Sequence, residues 1–577
     1  MDTTQKKMEE EKILLMLLPF WLPLIPPTGI ASLKSHLKPR GFRVKTVDLA
    51  IYPDFRDLYD RYFDRLKATV DEEKQGNFYS VGHDVLRNHM IAHLFNPGEA
   101  DAGYLDLVET VIQKTFYVDV EAGTAQQLDH ILGAFYRRLE EVVLQLLEDE
   151  KPTVLGLSVY SDTLPASLFT FRLVRERFPG IKTVMGGGVF ADQLAPGSPN
   201  FKEFCEKTAS YIDRIFIGEG ELLFLGWLRG ELPHNRRVYT LDTIGGETLD
   251  LSTATILDLE DFPIADYPYM VSYTSRSCPY QCKFCSETVQ WGNYRKKSPT
   301  QIVKELEELY DRYGYQLFLL SDSLLNPVIR ELAAALSESR RTVYWDGWLR
   351  VDGLDFETRD TMAWRRGGFY HARMGIESAS SRVLDLMSKR ITPDQIKKAL
   401  VNLAYAGIKT TTLWIVGYPG ETEADFLETL DFLETYKNEI YEAECRPFYY
   451  YPTGQPGSGD FGTGDRSAPY LLYPEESRDL LLLRTWAPGS RPSREETYER
   501  MNRFVRHCRV LGIPNPYSMQ EIYDADERWR KLQKNAVPPL VDFKNRDGYI
   551  DECKGVREMF SLSNPLDELE GEEDFLF

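Results

Sequence analysis

The chain is 577 residues long, which is enough for two to four domains, and 43% of its residues are hydrophobic, which is enough to give each domain a buried core. Its formal net charge of −21 argues against nucleic acid or an anionic membrane as a partner, because both are polyanions. The cysteines are too unevenly spaced for the disulfide framework of a secreted scaffold, which favours a reducing cytoplasm.

The first predicted element is a strand at residues 12–18. Its apolar run follows three lysines, as the core of a signal peptide does, but no small-residue cleavage site follows it. Prolines also interrupt the run well before the roughly 20 apolar residues that are needed to span a bilayer. We therefore interpret the run as a buried first strand.

A first α/β block follows from this strand. A proline-rich loop, Pro19 to Pro27, leads to a helix that starts at Gly29 and ends before Gly41, and a strand at 42–48 comes next. This order is typical of a parallel, doubly wound sheet, in which ligands lie at the carboxyl ends of the strands. The further strands are predicted at 154–159, 182–185 and 212–217, with a helical insertion at about 54–150 and a helix that ends near Phe178.

Small residues follow each strand of this block. The segments are Pro26 to Gly29, Leu157 to Val159, Gly186 to Gly188 and Gly218 to Glu221. Glycine at a strand end lets the backbone approach a large ligand closely, although a tight turn from strand to helix would also use it. From the residues alone, both interpretations of each loop stay open.

A second α/β block begins after residues 229–268, which lack long periodic segments and are predicted to be a linker. Repeated alternation of strand and helix predicts a second parallel sheet, closed or partly closed as a barrel. Beyond about 455 the pattern loosens into a glycine-rich loop, a helical region at 493–535 and an acidic tail from Leu566 to Phe577 that is predicted to be disordered. The predicted strands are 270–275, 317–321, 342–345, 370–374, 411–416 and 444–450, and the helices are 299–313, 328–338, 380–388, 393–406 and 421–437.

Three cysteines, Cys278, Cys282 and Cys285, lie within eight residues directly after the first strand of this block. Three thiolates can bind three irons of a four-iron cluster and leave the fourth iron open to a small molecule. A zinc site would usually add a second CxxC pair or histidines, and the neighbouring sequence has neither. The spacing therefore indicates a reactive iron–sulfur cluster.

Taken together, these motifs resemble the cobalamin-dependent radical S-adenosylmethionine (SAM) enzymes, over roughly residues 12–450. The resemblance implies an N-terminal Rossmann-like cobalamin-binding domain at 1–228, the linker at 229–268, and a partial (β/α)6 TIM-like barrel at 269–455. It also implies a mainly helical C-terminal substrate or capping region at 456–577.

The same resemblance implies the residues of the cluster and SAM sites. Cys278, Cys282 and Cys285 would be both the metal ligands and the catalytic centre, because SAM binds the open iron of a [4Fe-4S] cluster. Other positions would contact SAM through adenine, the methionine amine and carboxylate, or the ribose. They are Phe284 and Val416 for adenine, Asp322 and Ser323 for the amine, Arg350 for the carboxylate, and Glu377 and Ser378 for the ribose.

For cobalamin, the resemblance implies the strand ends of the first block. The Asp-x-His-x-x-Gly signature is missing, because the first strand continues as Pro19-Phe-Trp-Leu-Pro, so we expect no histidine on the cobalt. The loop from Phe20 to Ile25 or from Tyr160 to Thr163 would lie towards the metal. The expected contacts are Pro27, Gly29, Ser158, Val159, Gly186, Gly187, Gly188, Gly218, Glu219 and Gly220.

The implied function is methyl transfer from methylcobalamin to an unactivated carbon of a natural-product precursor, which could be a small molecule or be bound to a peptide or carrier protein. An external electron donor of the flavodoxin or ferredoxin type would be needed. Cyclisation, ring contraction or methylation of phosphorus on the same scaffold stays open, as does a non-catalytic sensor. Substrate contacts are expected within 445–560, with Arg446, Tyr449, Tyr450, Tyr451 and His507 as candidates by location.

Overall fold

The structure is a computed structural model that describes residues 11–20, 23–96, 102–461, 468–516 and 519–533. These residues form two six-stranded parallel sheets with helices packed on them. The buried apolar residues of both sheets belong to one continuous hydrophobic cluster, which runs from Ile13 to Ile513. The two sheets are therefore held against each other by a shared core.

The first sheet has the strand order β2-β1-β3-β4-β5-β6, and every pair in it is parallel. Five of the six residues of its first strand are buried, which confirms the predicted buried strand at the N-terminal end. The strands are β1 Lys12–Leu17, β2 Arg43–Asp48, β3 Val154–Ser158, β4 Lys182–Gly186, β5 Arg214–Ile217 and β6 Val238–Thr240, and the helices between them are α1 Thr28–Leu37, α7 Leu164–Arg177, α8 Pro199–Lys207 and α9 Gly220–Leu228.

The helical insertion lies between β2 and β3, as predicted. Its helices are α2 Pro53–Lys67, α3 Glu72–Gln75, α4 Phe78–Phe95, α5 Ala102–Phe116 and α6 Thr124–Glu150. The long α6 buries a stripe at helical spacing that includes Leu132, Phe135, Leu139 and Val142. The insertion is therefore an amphipathic layer packed on the first sheet.

The second sheet has the order β14-β13-β12-β11-β10-β7 and is also parallel throughout. In the described residues β7 and β14 are not paired with each other, so the sheet is a partial barrel. Its strands are β7 Met270–Ser272, β10 Leu317–Leu320, β11 Tyr344–Leu349, β12 Phe369–Glu377, β13 Lys409–Val416 and β14 Glu442–Pro447. Its helices are α10 Glu287–Trp291, α11 Pro299–Tyr313, α12 Ile329–Ser337, α13 Thr358–Arg366, α14 Ser381–Leu386, α15 Pro393–Tyr405 and α16 Glu423–Thr435.

Local sequence signals explain where these helices begin and end. The Ser298 side chain accepts a hydrogen bond from the backbone of Gln301, and Pro299 occupies the first turn of α11. Gly314 then ends the helix in a left-handed conformation with φ 73°. Thr392 and Gln395 form a reciprocal capping box at the start of α15.

Two small antiparallel hairpins and two helices complete the described fold. The hairpins are β8 Ser275–Arg276 with β9 Arg295–Lys296, and β15 Tyr470–Leu471 with β16 Trp486–Ala487. The helices are α17 Arg494–Leu511 and α18 Met519–Leu532, the second of which packs through Trp529 against Ala404 and Tyr441. The predicted disordered tail from Leu566 to Phe577 lies outside the described residues.

The sequence predictions differ from this fold in several places. The predicted linker at 229–268 contains β6, the sixth strand of the first sheet. Helix α13 was not predicted, because its short, arginine-rich sequence has little apolar periodicity. Two strands are displaced along the chain: 342–345 became Tyr344–Leu349, and 444–450 became Glu442–Pro447. No helix among the described residues is long and apolar enough to cross a membrane.

Candidate active site

The three cysteines lie on one loop between β8 and α10. Cys282 is buried, and Cys278 and Cys285 are partly exposed. The loop closes on itself through a hydrogen bond from the Cys285 N–H to the Cys282 carbonyl at 3.1 Å. It is also tied to the barrel, because the Lys283 N–H donates to the carbonyl of Met387 at 2.9 Å. The loop therefore holds three thiols at one place on the protein.

Two buried cations lie beside these thiols. Arg350, at the end of β11, donates from Nη1 to the Sγ of Cys282 at 3.1 Å. Lys389 lies in the turn after α14 with its Nζ 5.5 Å from the centre of the Phe284 ring. Burial raises the pKa of the Cys278 thiol and raises that of Cys285 to about 12, and the nearby Lys389 charge opposes both shifts. A bound metal would have to displace these thiol protons, and both cations favour the resulting thiolates.

Several residues around the thiol loop have a left-handed backbone without being glycine. They are Ser277 (φ 67°), Glu377 (φ 67°), Ser388 (φ 54°) and Arg390 (φ 58°). Such conformations cost of order 1–3 kcal/mol each and cluster at functional sites. Here Ser388 and Arg390 flank Lys389, and Ser277 directly precedes Cys278, so this backbone strain surrounds the predicted cluster site.

Asp322, predicted to contact the methionine amine of SAM, has structural hydrogen bonds in this fold. Its carboxylate accepts hydrogen bonds from the backbone N–H groups of Thr274 and Ser275 and from both of their hydroxyls. It is 3% exposed, so it holds the loop after β7 and does not reach the cavity described below. Its neighbours Ser321 and Ser323 do line that cavity, and the Ser323 hydroxyl donates to Glu287 at 2.6 Å.

Arg350, predicted to bind the carboxylate of SAM, is paired with an acidic side chain of the protein. Arg350 is 5% exposed, and its fork is occupied by Asp352, with Nε–Oδ1 at 2.7 Å and Nη2–Oδ2 at 3.1 Å. The same guanidinium lies 3.8 Å from the centre of the Tyr280 ring. In this structure the guanidinium is therefore already hydrogen-bonded to Asp352 and to the thiol loop.

The other predicted SAM contacts lie near the thiol loop or at the ends of its neighbouring strands. Glu377 is 7% exposed and accepts from Lys389 Nζ at 2.8 Å, so its charge is paired. The hydroxyl of Ser378 accepts from the Ser380 N–H at 3.1 Å, which assigns it to the backbone turn after β12. Phe284 packs against a small buried cluster that includes Met387. Val416 is buried, and its carbonyl accepts from the Phe448 N–H at 2.9 Å.

A cavity of about 490 Å³ lies at the carboxyl ends of the first sheet. Seven of the ten predicted cobalamin contacts line it: Gly29, Ser158, Gly186, Gly187, Gly188, Gly218 and Gly220. Of the other three, Pro27 begins α1, because its carbonyl accepts from the Ala31 N–H at 3.1 Å. Val159 packs beneath Gly187, and Glu219 forms ion pairs with Arg276 and Arg295 instead.

Gly187 shows why glycine is needed at one of these strand ends. Its φ is 117°, and a Cβ built there would collide with the backbone carbonyl and amide of Val159. The strand-end loops of β3 and β4 are therefore in direct backbone contact at the cavity wall.

The second sheet supplies the opposite wall of the same cavity. That wall includes Ser277 and Ser286, which come directly before Cys278 and directly after Cys285, together with Tyr273, Arg276, Glu287, Trp291, Ser321 and Ser323. The carboxyl ends of the two sheets therefore open onto one shared space. Sequence reasoning predicted both edges but did not place them relative to each other.

One residue from each of the two loops that were predicted to lie towards the cobalt lines this cavity. Tyr160 lines it and is 47% exposed, and Ile25 lines it from the loop before α1. Trp21 and Leu22, within the predicted loop from Phe20 to Ile25, lie outside the described residues.

The substrate candidates chosen by location do not line this cavity. Arg446 is exposed and pairs with Glu444 at 2.6 Å, and the His507 ring is hydrogen-bonded to the Leu430 carbonyl at 3.2 Å. Tyr449 donates to Asp84 at 2.9 Å, which ties the C-terminal region to α4.

The other two tyrosines also have structural contacts. The Tyr450 ring packs against Phe461 with 5.2 Å between centroids, and the Tyr451 hydroxyl accepts from Arg484. Gln455 connects this region to the thiol loop, since its Nε2 donates to the Phe284 carbonyl at 2.9 Å.

These residues fit the two cofactors that the sequence predicted. Among the described residues, no group of three His, Cys, Asp or Glu side chains converges on a single metal ion. A cluster does not require such convergence, because each thiolate binds a different iron. Three clustered thiols with two adjacent cations suit a cluster, and a cavity edged by glycine backbone suits a large flat ligand.

Residues 272–433 match the Radical SAM superfamily. The chain carries a radical SAM domain. This radical SAM domain begins at the end of β7, contains the thiol loop and reaches into α16. This match agrees with the [4Fe-4S] cluster and SAM that the sequence analysis predicts.

Two relatives resemble the chain over about half of its length. An anaerobic magnesium-protoporphyrin IX monomethyl ester cyclase of Rubrivivax gelatinosus is 28% identical over 52% of this chain and 56% of its own. An uncharacterized methyltransferase of Pyrococcus horikoshii is 24% identical over 50% of this chain and 66% of its own. The chain thus spans between about half and two thirds of the length of these relatives.

One solved structure resembles nearly the whole chain. The radical SAM methyltransferase TsrM of Kitasatospora setae, solved with cobalamin and a [4Fe-4S] cluster bound, superposes with a TM-score of 0.52 at 13% identity. The match covers 90% of this chain and 89% of TsrM, so it extends well beyond the radical SAM domain. The chain therefore shares the overall fold of TsrM.

Some residues of the site were missed by sequence reasoning. Lys389 and Arg276 were not singled out, because each is recognised only by the acidic residue with which it pairs in the fold. Lys389 pairs with Glu377 and Arg276 pairs with Glu221. The left-handed backbone of Ser388 and Arg390 could not be predicted either, because neither serine nor arginine is a residue type that typically adopts this conformation.

Proposed function

We propose that the protein is a cobalamin-dependent radical SAM methyltransferase that acts on an unactivated carbon of a natural-product precursor. The observation that carries the proposal is the shared cavity, onto which the glycine strand ends of the first sheet and the residues flanking the thiol loop both open. An enzyme that uses a corrin and a radical SAM centre on one substrate needs the two within reach of each other.

A cluster bound here would supply the electron that cleaves SAM, and a bound corrin would carry the methyl group. Cys278, Cys282 and Cys285 would hold the cluster. Arg350 orients the middle thiol and, with Lys389, supplies positive charge that stabilises thiolates in a buried site. The glycine-edged loops would support the corrin, with Tyr160 on its wall.

The chain's own residues also shield this space. The Gln455 loop lies against the thiol loop through the Phe284 carbonyl, and the Gly454 Cα lies close to the backbone of Ala191 and Asp192 in the first α/β block. A radical generated in the cavity must be kept from water and from side reactions. The C-terminal region is placed to provide that shielding.

We also propose the setting in which the enzyme works. The substrate would be a small molecule or a precursor bound to a peptide or carrier protein, and an external flavodoxin- or ferredoxin-type protein would donate electrons. None of the six described cysteines forms a disulfide, which suits the reducing cytoplasm. We expect neither nucleic acid nor a membrane as a partner, given the net charge of −21.

A second candidate is radical cyclisation without methyl transfer, which the 28% identity to a cyclase favours. The two functions differ in how SAM is consumed. A methyltransferase of this class converts SAM to S-adenosylhomocysteine in a reaction that needs the corrin, whereas a cyclase that uses SAM only as a radical source gives 5′-deoxyadenosine alone.

The test uses anaerobically purified full-length protein with a reconstituted cluster. It is incubated with SAM and titanium(III) citrate, with or without hydroxocobalamin, and both SAM products are quantified. We expect iron and sulfide to be retained and S-adenosylhomocysteine to form only when hydroxocobalamin is present. Steady formation of 5′-deoxyadenosine without corrin-dependent S-adenosylhomocysteine would overturn the methyltransferase proposal in favour of the cyclase.

A further inference from the structure

Arg276 links the two walls of the shared cavity. It belongs to the short strand β8, two residues before Cys278, and it lines the cavity. Its guanidinium reaches across to the strand end of β5 in the other sheet. There it contacts the Gly218 to Glu221 segment, which sequence analysis had singled out as a possible ligand loop.

The contacts of Arg276 are numerous and directional. Its Nη2 donates to Glu221 Oε1 at 2.6 Å, and its Nη1 donates to Glu221 Oε2 at 3.1 Å, which is a forked pair. Nη1 also lies 3.0 Å from Glu219 Oε2, and Nη2 donates to the Ser32 hydroxyl at 3.1 Å. The guanidinium therefore contacts two parts of the first block, helix α1 and the segment after β5.

The link is buried on both sides. The side chains of Arg276, Glu221 and Glu219 are 10%, 5% and 2% exposed. The guanidinium also lies 5.1 Å from the Tyr273 ring centre and 5.8 Å from that of Trp291. Planar stacking and a fork to a carboxylate are properties of arginine that lysine does not reproduce.

A second arginine strengthens the same connection. Arg295 on β9 is the strand partner of Arg276, and its Nη2 lies 2.7 Å from Glu219 Oε2. Its Nη1 donates to the Leu249 carbonyl at 2.8 Å. Two arginines of one hairpin thus face two glutamates of one strand-end loop, and the charges balance. We call these four residues the clasp.

The thiol loop is attached rigidly to the clasp. Between Arg276 and Cys278 lies only Ser277, whose backbone is left-handed and whose hydroxyl donates to the Gly292 carbonyl at 2.7 Å. Displacement of Arg276 must therefore displace the first thiol. Conversely, the strand-end loop that carries Glu219 and Glu221 also places Gly218 and Gly220 on the cavity wall.

Buried ion pairs are weak evidence for stability, because the cost of removing both charges from water offsets most of their attraction. The shared hydrophobic core already holds the sheets together. What the clasp adds is direction, since forked hydrogen bonds fix the angle and distance between two backbone segments.

We propose that Arg276 is a positioning residue that aligns the thiol loop with the corrin-side strand ends, so that the two cofactor sites act on one another. This inference rests on the proposed function, because alignment matters only if both sites are used in one reaction. Loss of the clasp should leave each site competent by itself and impair the reaction that needs both.

The test compares the wild type with Arg276→Lys, which keeps the charge and loses the fork. Hydrogen–deuterium exchange of the protein without added cofactors is followed in peptides that cover 218–222 and 275–279. Iron content, hydroxocobalamin binding, 5′-deoxyadenosine formation and corrin-dependent S-adenosylhomocysteine formation are then measured on reconstituted protein. Arg340→Lys, at an exposed arginine paired with Glu307, controls for the substitution itself, and Asp526→Asn, in a buried pair with Lys409, controls for lost stability.

In Arg276→Lys we expect faster exchange in both peptides and a fall of at least about tenfold in corrin-dependent S-adenosylhomocysteine, since displacements of about 1 Å can cost a hundredfold in rate. Iron content, hydroxocobalamin binding and 5′-deoxyadenosine should stay within about twofold, and neither control should show this split. Unchanged exchange in both peptides, or an unchanged corrin-dependent rate beside faster exchange, would overturn the proposal.

If Arg276→Lys also loses iron and corrin, Glu221→Gln decides, because it leaves Arg276 paired with Glu219. The same split in Glu221→Gln supports the positioning role, and joint loss of every property overturns it. If the wild type itself forms no corrin-dependent S-adenosylhomocysteine, the proposed function fails, and with it the positioning role. The exchange data alone would then show whether the clasp orders the two loops.

Discussion

Arg350 Nη1 donates a hydrogen bond to Cys282 Sγ at 3.1 Å, so the middle thiol of the predicted cluster loop is held by a residue 68 positions further along the chain. The same guanidinium is forked to Asp352 and donates to the Lys389 carbonyl. The thiol loop is thus not a free turn. It is held against the end of β11 and against the segment after α14. Such fixed positioning is the preorganisation that a reactive cluster requires.

Arg350→Met should therefore destabilise the protein before any cofactor is added. The change leaves the largely buried Asp352 without its cation, and removal of one partner of such a pair typically costs about 3–5 kcal/mol. Urea unfolding of the cofactor-free protein measures the loss. Arg340→Met breaks an exposed pair and should leave the stability close to that of the wild type. Equal losses in the two variants would contradict the role that we assign to Arg350.

Gly187→Ala should damage the corrin-side wall of the cavity. The new Cβ would collide with the backbone of Val159 in addition to the strain of φ 117°. Gly197→Ala is the matched control, because Gly197 has φ 83° and nothing within 4 Å of a built Cβ.

We expect both alanines to carry the backbone cost of about 1–2 kcal/mol. Gly187→Ala should lose about 1–3 kcal/mol more and should weaken hydroxocobalamin binding. Thermal denaturation and corrin titration by absorbance give the two numbers. Tight hydroxocobalamin binding by Gly187→Ala would mean that this strand end is not a corrin contact.

Acid should loosen the contact between the two sheets. Burial would raise the pKa of Glu221, but the charge and hydrogen bonds of Arg276 lower it from its ordinary value near 4.5 to about 2. Because the folded pKa is the lower one, this stabilisation is fully present above about pH 4.5 and is lost as the pH falls through about 2. The Ser32 hydroxyl donates a hydrogen bond to Glu221. Burial lowers the pKa of the nearby His36, and the charge of Glu221 opposes that shift.

The measurement is the free energy of unfolding of the wild type minus that of Glu221→Gln, taken from pH 6 downwards. The shift corresponds to a difference of up to about 3 kcal/mol, and it should disappear in acid. Subtraction of the variant removes the part of the acid response that comes from His36 and from other groups that both proteins share. A difference that stays constant down to pH 2 would show that the Glu221 charge does not stabilise the contact.

Asp322→Asn tests whether the Asp322 carboxylate serves to hold the loop after β7. An asparagine keeps one accepting oxygen but cannot match a carboxylate that accepts from four donors of Thr274 and Ser275, so we expect a loss of about 1–3 kcal/mol in stability. SAM affinity, measured by calorimetry on reconstituted protein at a temperature at which both forms are folded, should stay within about twofold. A tenfold weaker affinity at unchanged stability would restore Asp322 as a SAM contact.

The sequence allowed prediction of those parts of the site that are local in the chain. The three cysteines lie within eight residues, and this spacing alone predicted an iron–sulfur cluster. The strand ends with glycine could be placed because β1 and β3–β5 are short, apolar and separated by helices.

What could not be predicted depends on contacts between distant residues. Arg276 and Glu221 are 55 positions apart and belong to different α/β blocks. Lys389 lies between the left-handed residues Ser388 and Arg390 and meets Glu377 from the other end of α14. The loop-holding hydrogen bonds of Asp322 could not be predicted, because an acidic residue after a strand has the same appearance in the sequence whether it contacts a ligand or holds a neighbouring loop. Similarly, β6 is only three residues long, too short to show any periodicity.

If the cluster and the corrin occupy opposite walls of one cavity, their unpaired spins should interact, and electron paramagnetic resonance detects such an interaction. Both centres are paramagnetic in the protein with a reduced cluster and cobalt(II) corrin, and nearby spins broaden or split each other's signals. We predict coupled signals in the wild type and an uncoupled cobalt signal in Cys282→Ala, which should still bind the corrin. Two signals in the wild type that equal the sum of the separate centres would contradict the account.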